Sequence, residues 1–404
     1  MNKKTIHDLD VAGKKVLVRV DYNVPLDDSG RITDDARIRE TIPTLQYLLD
    51  GGAALILMAH FGRPKGTVVE SMRLKPVSQK LQELLSRDVQ VAGDTVGLEA
   101  TALVKALGHK QVLLLENTRF EAGEEKNDPI LAAKLAEFGD VYVNDAFGAA
   151  HRAHASTEGV ARVMRSQGKP AVAGLLMARE LEFLGQLLQN PPRPFVAILG
   201  GVKVSDKIGV IRNLLPKVDT ILVGGAMAYA FEKARGSEVG TSYFKVEDAP
   251  TAAELLVLAR DRGYDFRTPK DFLVADKDAE DAQVAYVASG HIPRDKMGMD
   301  IGPQTIADYC AIIENAKTVL WNGPMGRFEV TPFSKGTLEV ARAVGRATEK
   351  GALTIIGGGD SAAAVKQMGL SDRMSHVSTG GGASLEFLEG QELPGVAALD
   401  DKLN

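Results

Sequence analysis

The sequence has 404 residues, 45% hydrophobic and 25% charged, with a formal net charge of −5 at pH 7. At about 100–200 residues per domain this length implies two domains, and its ordinary globular proportions exclude a collagen repeat, a coiled coil or extended disorder. The acidic balance argues against a broad basic surface for nucleic acid. Neither half, divided at 185, carries a strong net charge, so any anion site must be a local cluster. The single cysteine, Cys310, can form neither an internal disulfide nor a Cys-based zinc site, which predicts a reducing compartment. The N-terminus lacks the apolar stretch of a signal peptide. The longest apolar runs, such as AALILMA at 53–59, fall far short of the ~20 residues of a membrane span. A cytoplasmic chain with no membrane partner is expected, with a monomer as the default state.

In chain order, apolar runs that read as strands lie at 15–20, 53–59, 111–117 and 140–147. A second series follows at 195–201, 220–225, 317–323, 353–359 and 373–382. Helical patterns fall between them, for example at 36–49, 129–138, 205–215 and 332–348. Near-continuous apolar strands alternating with helices predict α/β architecture, with parallel sheets covered on both faces. Between the two series, 171–189 reads as one apolar-periodic helix, stopped by Asn190-Pro191-Pro192-Arg193-Pro194. The expectation is two doubly wound parallel-sheet domains, 1–178 and 195–390, joined by a hinge helix at 179–194 with a substrate cleft between them. Residues 392–404 read as a docked tail rather than another strand–helix unit.

In open α/β sheets ligands bind beyond the carboxyl ends of the strands. The first series places Asp21, Asn23, His60, Phe61, Gly62, Arg63, Arg119, His151, Arg152 and His154 there, and Arg37 opens the first helix. Four arginines gathered at one edge of a nearly neutral domain point to a phosphate or carboxylate ligand. His151 and His154 lack the further ligands that zinc requires. No G-x-S-x-G elbow occurs.

The second series carries glycines instead. Gly200-Gly201 leads to Lys203 and Lys207, expected one helical turn apart. Gly224-Gly225, Gly357-Gly358-Gly359-Asp360 and Thr379-Gly380-Gly381-Gly382 follow later strands. Glycine lets backbone N–H groups approach phosphate, and a helix N-terminus adds positive potential. The lysines could neutralise a transferring phosphoryl group, and Asp360 could hold Mg²⁺. Neither a Walker string nor a G-x-G-x-x-G fingerprint is present, which counts against a dehydrogenase. Arginines in one domain and glycines, lysines and an aspartate in the other imply phosphoryl transfer by closure about a hinge.

The strings RVDYNVP (19–25), AHFGRPKG (59–66), ENTRFEAGEEKND (116–128), NDAFGAAHRAHAST (144–157), LGGVKVSDKI (199–208), LWNGPMGRFE (320–329), GGGDSAAAV (357–365) and HVSTGGGASLEFLEG (376–390) resemble phosphoglycerate kinases over essentially the whole chain. The resemblance implies transfer of a phosphoryl group between 1,3-bisphosphoglycerate and Mg·ADP. It implies that Asp21, Asn23, Arg37, His60, Arg63, Arg119 and Arg152, with Phe61 and Gly62, hold the glycerate substrate. Lys203, Lys207, Gly225, Gly298, Asn322, Pro324, Glu329 and Gly357 to Asp360 would hold the nucleotide, Glu329 taking the ribose hydroxyls and Asp360 the metal. Arg37, Lys203 and Lys207 would be catalytic, and Thr379, Gly380 and Gly381 would offer backbone N–H groups to phosphate. The tail 391–404 would return to the first domain. Ala59, Phe61, Tyr22 and Arg327 depart from the commoner family pattern, Arg327 standing where a small apolar residue is usual. A two-lobed nucleotide- and anion-binding protein without activity is the alternative.

Overall fold

Strands whose side chains are buried on both faces must be covered on both faces, and that requirement sets the architecture. The computed structural model describes residues 2–402. The chain divides into two units, Met1–Glu182 with Glu392–Asn404, and Phe183–Gln391. The outermost positions of the expected ranges 1–178 and 391–404, residues 1, 403 and 404, lie outside the described residues.

The first unit contains β1 (Lys15–Arg19), α1 (Ala36–Asp50), β2 (Ala54–Met58), α2 (Lys75–Leu85), β3 (Val89–Val91), α3 (Leu98–Ala106), β4 (Val112–Leu114), α4 (Pro129–Ala136), β5 (Val141–Asn144), α5 (Val160–Ser166) and β6 (Ala171–Ala173). Its sheet has the order β3-β4-β2-β1-β5-β6, parallel at every pairing. Val16, Val18, Leu55, Leu57, Leu114 and Val143 pack with Leu45, Leu48 and Leu81 of the helices in a core closed to solvent. Helix starts follow their local chemistry. Asp128 Oδ1 accepts from the backbone N–H of Ile130 and Leu131, both at 2.9 Å, with Pro129 at the first helical position.

α6 (Leu175–Gln189) starts in the first unit and ends in the second. The expected single helix over 171–189 is therefore corrected. Ala171–Ala173 forms β6 and pairs with Tyr142–Asn144, and the helix starts after Gly174. An alanine-rich stretch favours helix by propensity, but the open edge of β5 offers ladder bonds that override it.

The second unit contains β7 (Phe195–Leu199), α7 (Ile208–Leu214), β8 (Thr220–Val223), α8 (Met227–Ala234), α9 (Asp248–Arg262), β9 (Asp265–Arg267), β10 (Asp271–Ala275), β11 (Val284–Ala288), β12 (Met297–Ile301), α10 (Pro303–Glu314), β13 (Thr318–Asn322), α11 (Lys335–Glu349), β14 (Leu353–Gly357), α12 (Gly359–Gln367), β15 (His376–Val377) and α13 (Gly382–Leu388). Its main sheet has the order β15-β14-β13-β7-β8-β9, again parallel throughout. Trp321, fully buried, anchors the core under α10 and α11. A second, antiparallel sheet of order β11-β10-β12 was not expected. Its middle run, DFLVA, leads into polar residues rather than a helix and so breaks the strand–helix rhythm.

α14 (Pro394–Ala397) and its flanks belong to the first unit. Gly395 N donates to Ala150 O at 2.8 Å and Asn144 Nδ2 to Gly395 O at 3.1 Å. Asp400 Oδ2 accepts from Ala171 N at 3.0 Å, which ties the tail to β6. Among the described residues no helix is long and apolar enough to cross a membrane.

Asp145, just after β5, is buried and accepts from Met177 N at 3.1 Å, in the first turn of α6. Burial pushes its pKa from 3.8 up to about 6. Between those values the folded chain keeps a proton that the unfolded chain has released, so this group's contribution to stability falls as pH rises. Asp145→Asn retains an oxygen for Met177 N. Its melting temperature relative to the parent is expected to climb from about pH 4 to about pH 7 and then level off. A pH-independent difference in calorimetry would show that the Asp145 carboxyl does not titrate there.

Candidate functional site

The carboxyl ends of β1, β2, β4 and β5 share one edge of the first sheet, and the residues that follow them form a cationic cluster. Arg37 Nη1 is 2.9 Å from Asp21 Oδ2 and 3.3 Å from Asn23 O. Asn23 Oδ1 accepts from Gly62 N at 2.9 Å, and Arg119 Nη1 donates to Gly62 O at 2.8 Å. One turn of chain after β2 thus links three of the expected residues. Arg119 Nε lies 3.2 Å from Glu125 Oε1 without hydrogen-bond alignment. The side chains of Arg63 and Arg152 are exposed, and Phe61 is buried in the core, leaving its backbone at the edge.

Four residues to which the sequence reading gave no role hold this cluster in place. Arg19, fully buried at the end of β1, donates from Nε to Ser156 Oγ at 2.8 Å and from Nη2 to His60 Nδ1 at 3.0 Å. Ser156 passes the interaction on, its Oγ 2.5 Å from Oε1 of the fully buried Glu124. Asn117 Oδ1 accepts from Phe61 N and Arg119 N at 3.0 and 3.1 Å, while its Nδ2 donates to Phe61 O at 2.7 Å. A charged residue inside the apolar run KVLVRV was a readable signal, since a buried charge requires partners. Asn117 lies in the string at 116–128, but nothing there marked it as a positioning group.

A guanidinium can only donate, so Nδ1 of His60 accepts and the ring is the neutral Nε2–H tautomer. Burial gives the same answer, lowering the His60 pKa to about 3, with Asp21 opposing and Arg19, Arg119 and Arg37 assisting. His154 is lowered to about 4, chiefly by burial. Burial opposes ionisation of Asp21, yet its carboxyl is held below the usual range. With His60 neutral, Arg37 and Arg19 carry that effect. The cluster thus combines several arginines with a histidine that lacks a charge. Nuclear magnetic resonance should show no protonation of His60 between pH 5 and 8, roughly where a free histidine titrates. An imidazole shift with a midpoint near pH 6.5 would contradict this assignment.

In the second unit the ends of β7, β8, β13 and β14 surround a cavity of about 510 Å³. Gly225, Gly298, Pro324, Glu329 and Asp360 line it, together with Tyr229, Thr241, Tyr243, Met299 and Arg327. Lys207 Nζ donates to Asn322 Oδ1 at 2.8 Å, and burial lowers the lysine's pKa while Asp360 and Asp206 resist. Asn322 Nδ2 is buried with no hydrogen-bond partner, and it faces the turn at Gly357-Gly358. An orphaned buried donor beside a glycine turn is suited to an arriving acceptor such as phosphate. Asp360 stands in the first turn of α12, facing the cavity.

The expectation that Lys203 and Lys207 share a helical turn is corrected. α7 starts only at Ile208, and both lysines lie in the preceding loop, where Lys203 Nζ is 3.5 Å from Asp206 Oδ2. Two glycines differ in why they are glycine. Gly225, at φ +66°, is required by packing, since a Cβ would come within 2.4 Å of Gly201 N. At Gly359 a Cβ would meet nothing within 4 Å, so packing makes no such demand and open space remains for a ligand. Thr379 to Gly381 lie between β15 and α13. Among the described residues no group of three or more His, Cys, Asp or Glu could hold a resident metal. A single Asp360 beside a phosphate-sized opening fits a cation that arrives with a nucleotide.

Two α/β units, one with an arginine cluster and one with a glycine-lined cavity walled by Asp360, Lys207 standing beside its Gly201, define a nucleotide-dependent phosphotransferase. The phosphoglycerate kinase family model matches residues 6–391. A phosphoglycerate kinase of Chloroflexus aurantiacus is 55% identical over 403 residues, 99% of this chain and all of that protein. The solved structure of phosphoglycerate kinase from Coxiella burnetii covers 98% of each chain at 39% identity, with a TM-score of 0.88. That from Pyrococcus horikoshii covers 99% of this chain and 98% of its own at 34% identity, with a TM-score of 0.84. The chain belongs to the phosphoglycerate kinase family, and its activity is that of an ATP:3-phosphoglycerate 1-phosphotransferase.

Proposed function

We propose that the arginine cluster of the first unit takes 3-phosphoglycerate or 1,3-bisphosphoglycerate, and that the cavity of the second takes Mg·ATP or Mg·ADP. The observations that carry this reading are a half-buried Lys207 hydrogen-bonded to Asn322, the unpaired Nδ2 of Asn322 facing the Gly357-Gly358 turn, the open space at Gly359, and Asp360 on the cavity wall. Arg37, Asp21, Asn23, His60, Gly62, Arg63, Arg119 and Arg152 would bind the glycerate, Phe61 through its backbone. Gly225, Gly298, Pro324, Glu329 and Gly357 to Asp360 would bind the nucleotide, with Tyr243 an exposed aromatic wall for the base. Thr379, Gly380 and Gly381 would offer backbone donors. Mg²⁺ bound with the phosphates supplies charge neutralisation between them.

In the ATP-consuming direction the acceptor is a carboxylate, ionised at neutral pH, so no residue needs to remove a proton. The chain's task is positioning and stabilisation of charge on the transferring phosphoryl oxygens. Arg37, Lys203 and Lys207 are assigned to that task. His60, held neutral, can donate through Nε2 without adding charge. The single cysteine supports a cytoplasmic setting, with the monomer as working state.

ADP release from purified protein with Mg·ATP and 3-phosphoglycerate, the acyl phosphate being removed by a coupled step, should require all three components. Binding of both ligands without turnover would instead support the two-lobed binding protein. Arg37→Ala should lower kcat by ~10²–10³, the scale of one lost pre-organised charge, and leave the KM for ATP nearly unchanged. Wild-type kcat in that variant would remove Arg37 from the transition state.

Because donor and acceptor sites are assigned to different units, transfer requires the units to come together, with α6 as the proposed hinge. X-ray scattering should report compaction with both ligands bound, beyond that with either alone. Identical scattering curves would end the hinge assignment.

A further inference from the structure

Arg327 lines the nucleotide cavity and is bound there by two carboxylates from different segments. Its Nε lies 3.2 Å from Asp278 Oδ2, in the loop between β10 and β11, and its Nη1 lies 3.2 Å from Glu329 Oε2. All three side chains line the same cavity. The backbone beneath the arginine is anchored, since Arg327 N donates to Met299 O of β12 at 2.9 Å. A second contact joins the two loops independently, Thr331 N donating to Glu280 Oε1 at 3.1 Å. The loops therefore stay together without Arg327, and what its guanidinium adds is local to the rim.

We propose that Arg327 is a positioning and specificity-determining residue for the nucleotide: its fork holds Asp278 and Glu329 together at the cavity rim, fixing the carboxylate that receives the ribose hydroxyls. The proposal rests on the assignment of Glu329 to the ribose. Arg327 occupies Oε2 of Glu329, which leaves Oε1 as the oxygen presented to a sugar hydroxyl. An acceptor fixed in this way distinguishes a ribose, which offers two hydroxyls, from a 2′-deoxyribose, which offers one. Arg327 also cancels charge. Without it, two carboxylates face a polyphosphate across one opening. The three side chains are 44–49% exposed, so the pairs add little to stability and their effect is one of orientation and local potential.

The test compares Arg327→Met, Arg327→Lys and Glu329→Gln for KM and kcat with ADP and with 2′-deoxy-ADP, at low and high salt. Exposed charge pairs set the scale, so Arg327→Met should raise the KM for ADP about 2–5-fold while kcat changes less than about twofold. The ratio of the KM for 2′-deoxy-ADP to that for ADP should fall towards one. Arg327→Lys should restore the salt-dependent part of the KM but not the ratio, because an ammonium lacks the two-pronged geometry. Equal melting temperatures for Arg327→Met and the parent would exclude a folding cause for the change. If Glu329→Gln lowers the ratio and Arg327→Met does not, the positioning role of Arg327 is overturned while the ribose assignment stands. If Glu329→Gln leaves the ratio at the parental value, the ribose assignment fails and the inference fails with it.

Discussion

Parallel pairing within each six-stranded sheet is the constraint from which the sites of this protein follow. When neighbouring strands run the same way, every carboxyl end of a sheet lies at one edge, and each strand must be followed by a crossover. Residues far apart in sequence are therefore delivered to one place: those after Arg19, Met58, Leu114 and Asn144 in one unit, and those after Leu199, Val223, Asn322 and Gly357 in the other. Both faces of the central strands are covered, so the edge is where a functional group can be held by rigid elements and still meet solvent. That placement is a property of the backbone, and it precedes any choice of ligand.

On this shared frame the two sites use different electrostatics. The first unit buries its supporting charges. Arg19, Ser156 and Glu124 form a chain of interactions closed to solvent, which supplies partners to a buried guanidinium where an unpaired charge would be very costly. The same burial removes the proton from His60, so the cationic character of the site comes from arginines, whose charge does not vary across physiological pH. The second unit is more open. Its half-buried Lys207 is placed by a neutral amide and steadied by Asp360 and Asp206, while the cavity rim is lined by half-exposed charged side chains. A tight, pre-paired cationic cluster thus differs in kind from a unit in which Asn322 Nδ2 is buried without a partner.

Much of this was readable from residue order. Strand positions, the arginines after them and the glycine turns of the second half are local patterns, and local patterns survive translation into structure. The misreadings share a cause. Ala171–Ala173 became a strand because β5 had an open edge, and the helix expected from 205 starts at Ile208, after a loop that carries the lysines. DFLVA at 271–275 joined an antiparallel sheet that no strand–helix rhythm announces. Asn117 is an ordinary polar residue in sequence. It becomes a positioning group only where the chain after β2 passes beside it.

The sequence by itself determined the α/β class, the family and the residue types available for phosphoryl transfer. Hydrophobic periodicity and motif chemistry depend on near neighbours, which a linear reading contains. The tertiary structure alone decided protonation, pairing and access: that His60 is neutral, that Arg19 stands behind it, that Asn322 keeps a free donor and that Arg327 joins Asp278 to Glu329. Each of these depends on burial and on distances between segments that are remote in sequence, because the strength of a charge or a hydrogen bond is set by what surrounds it in space.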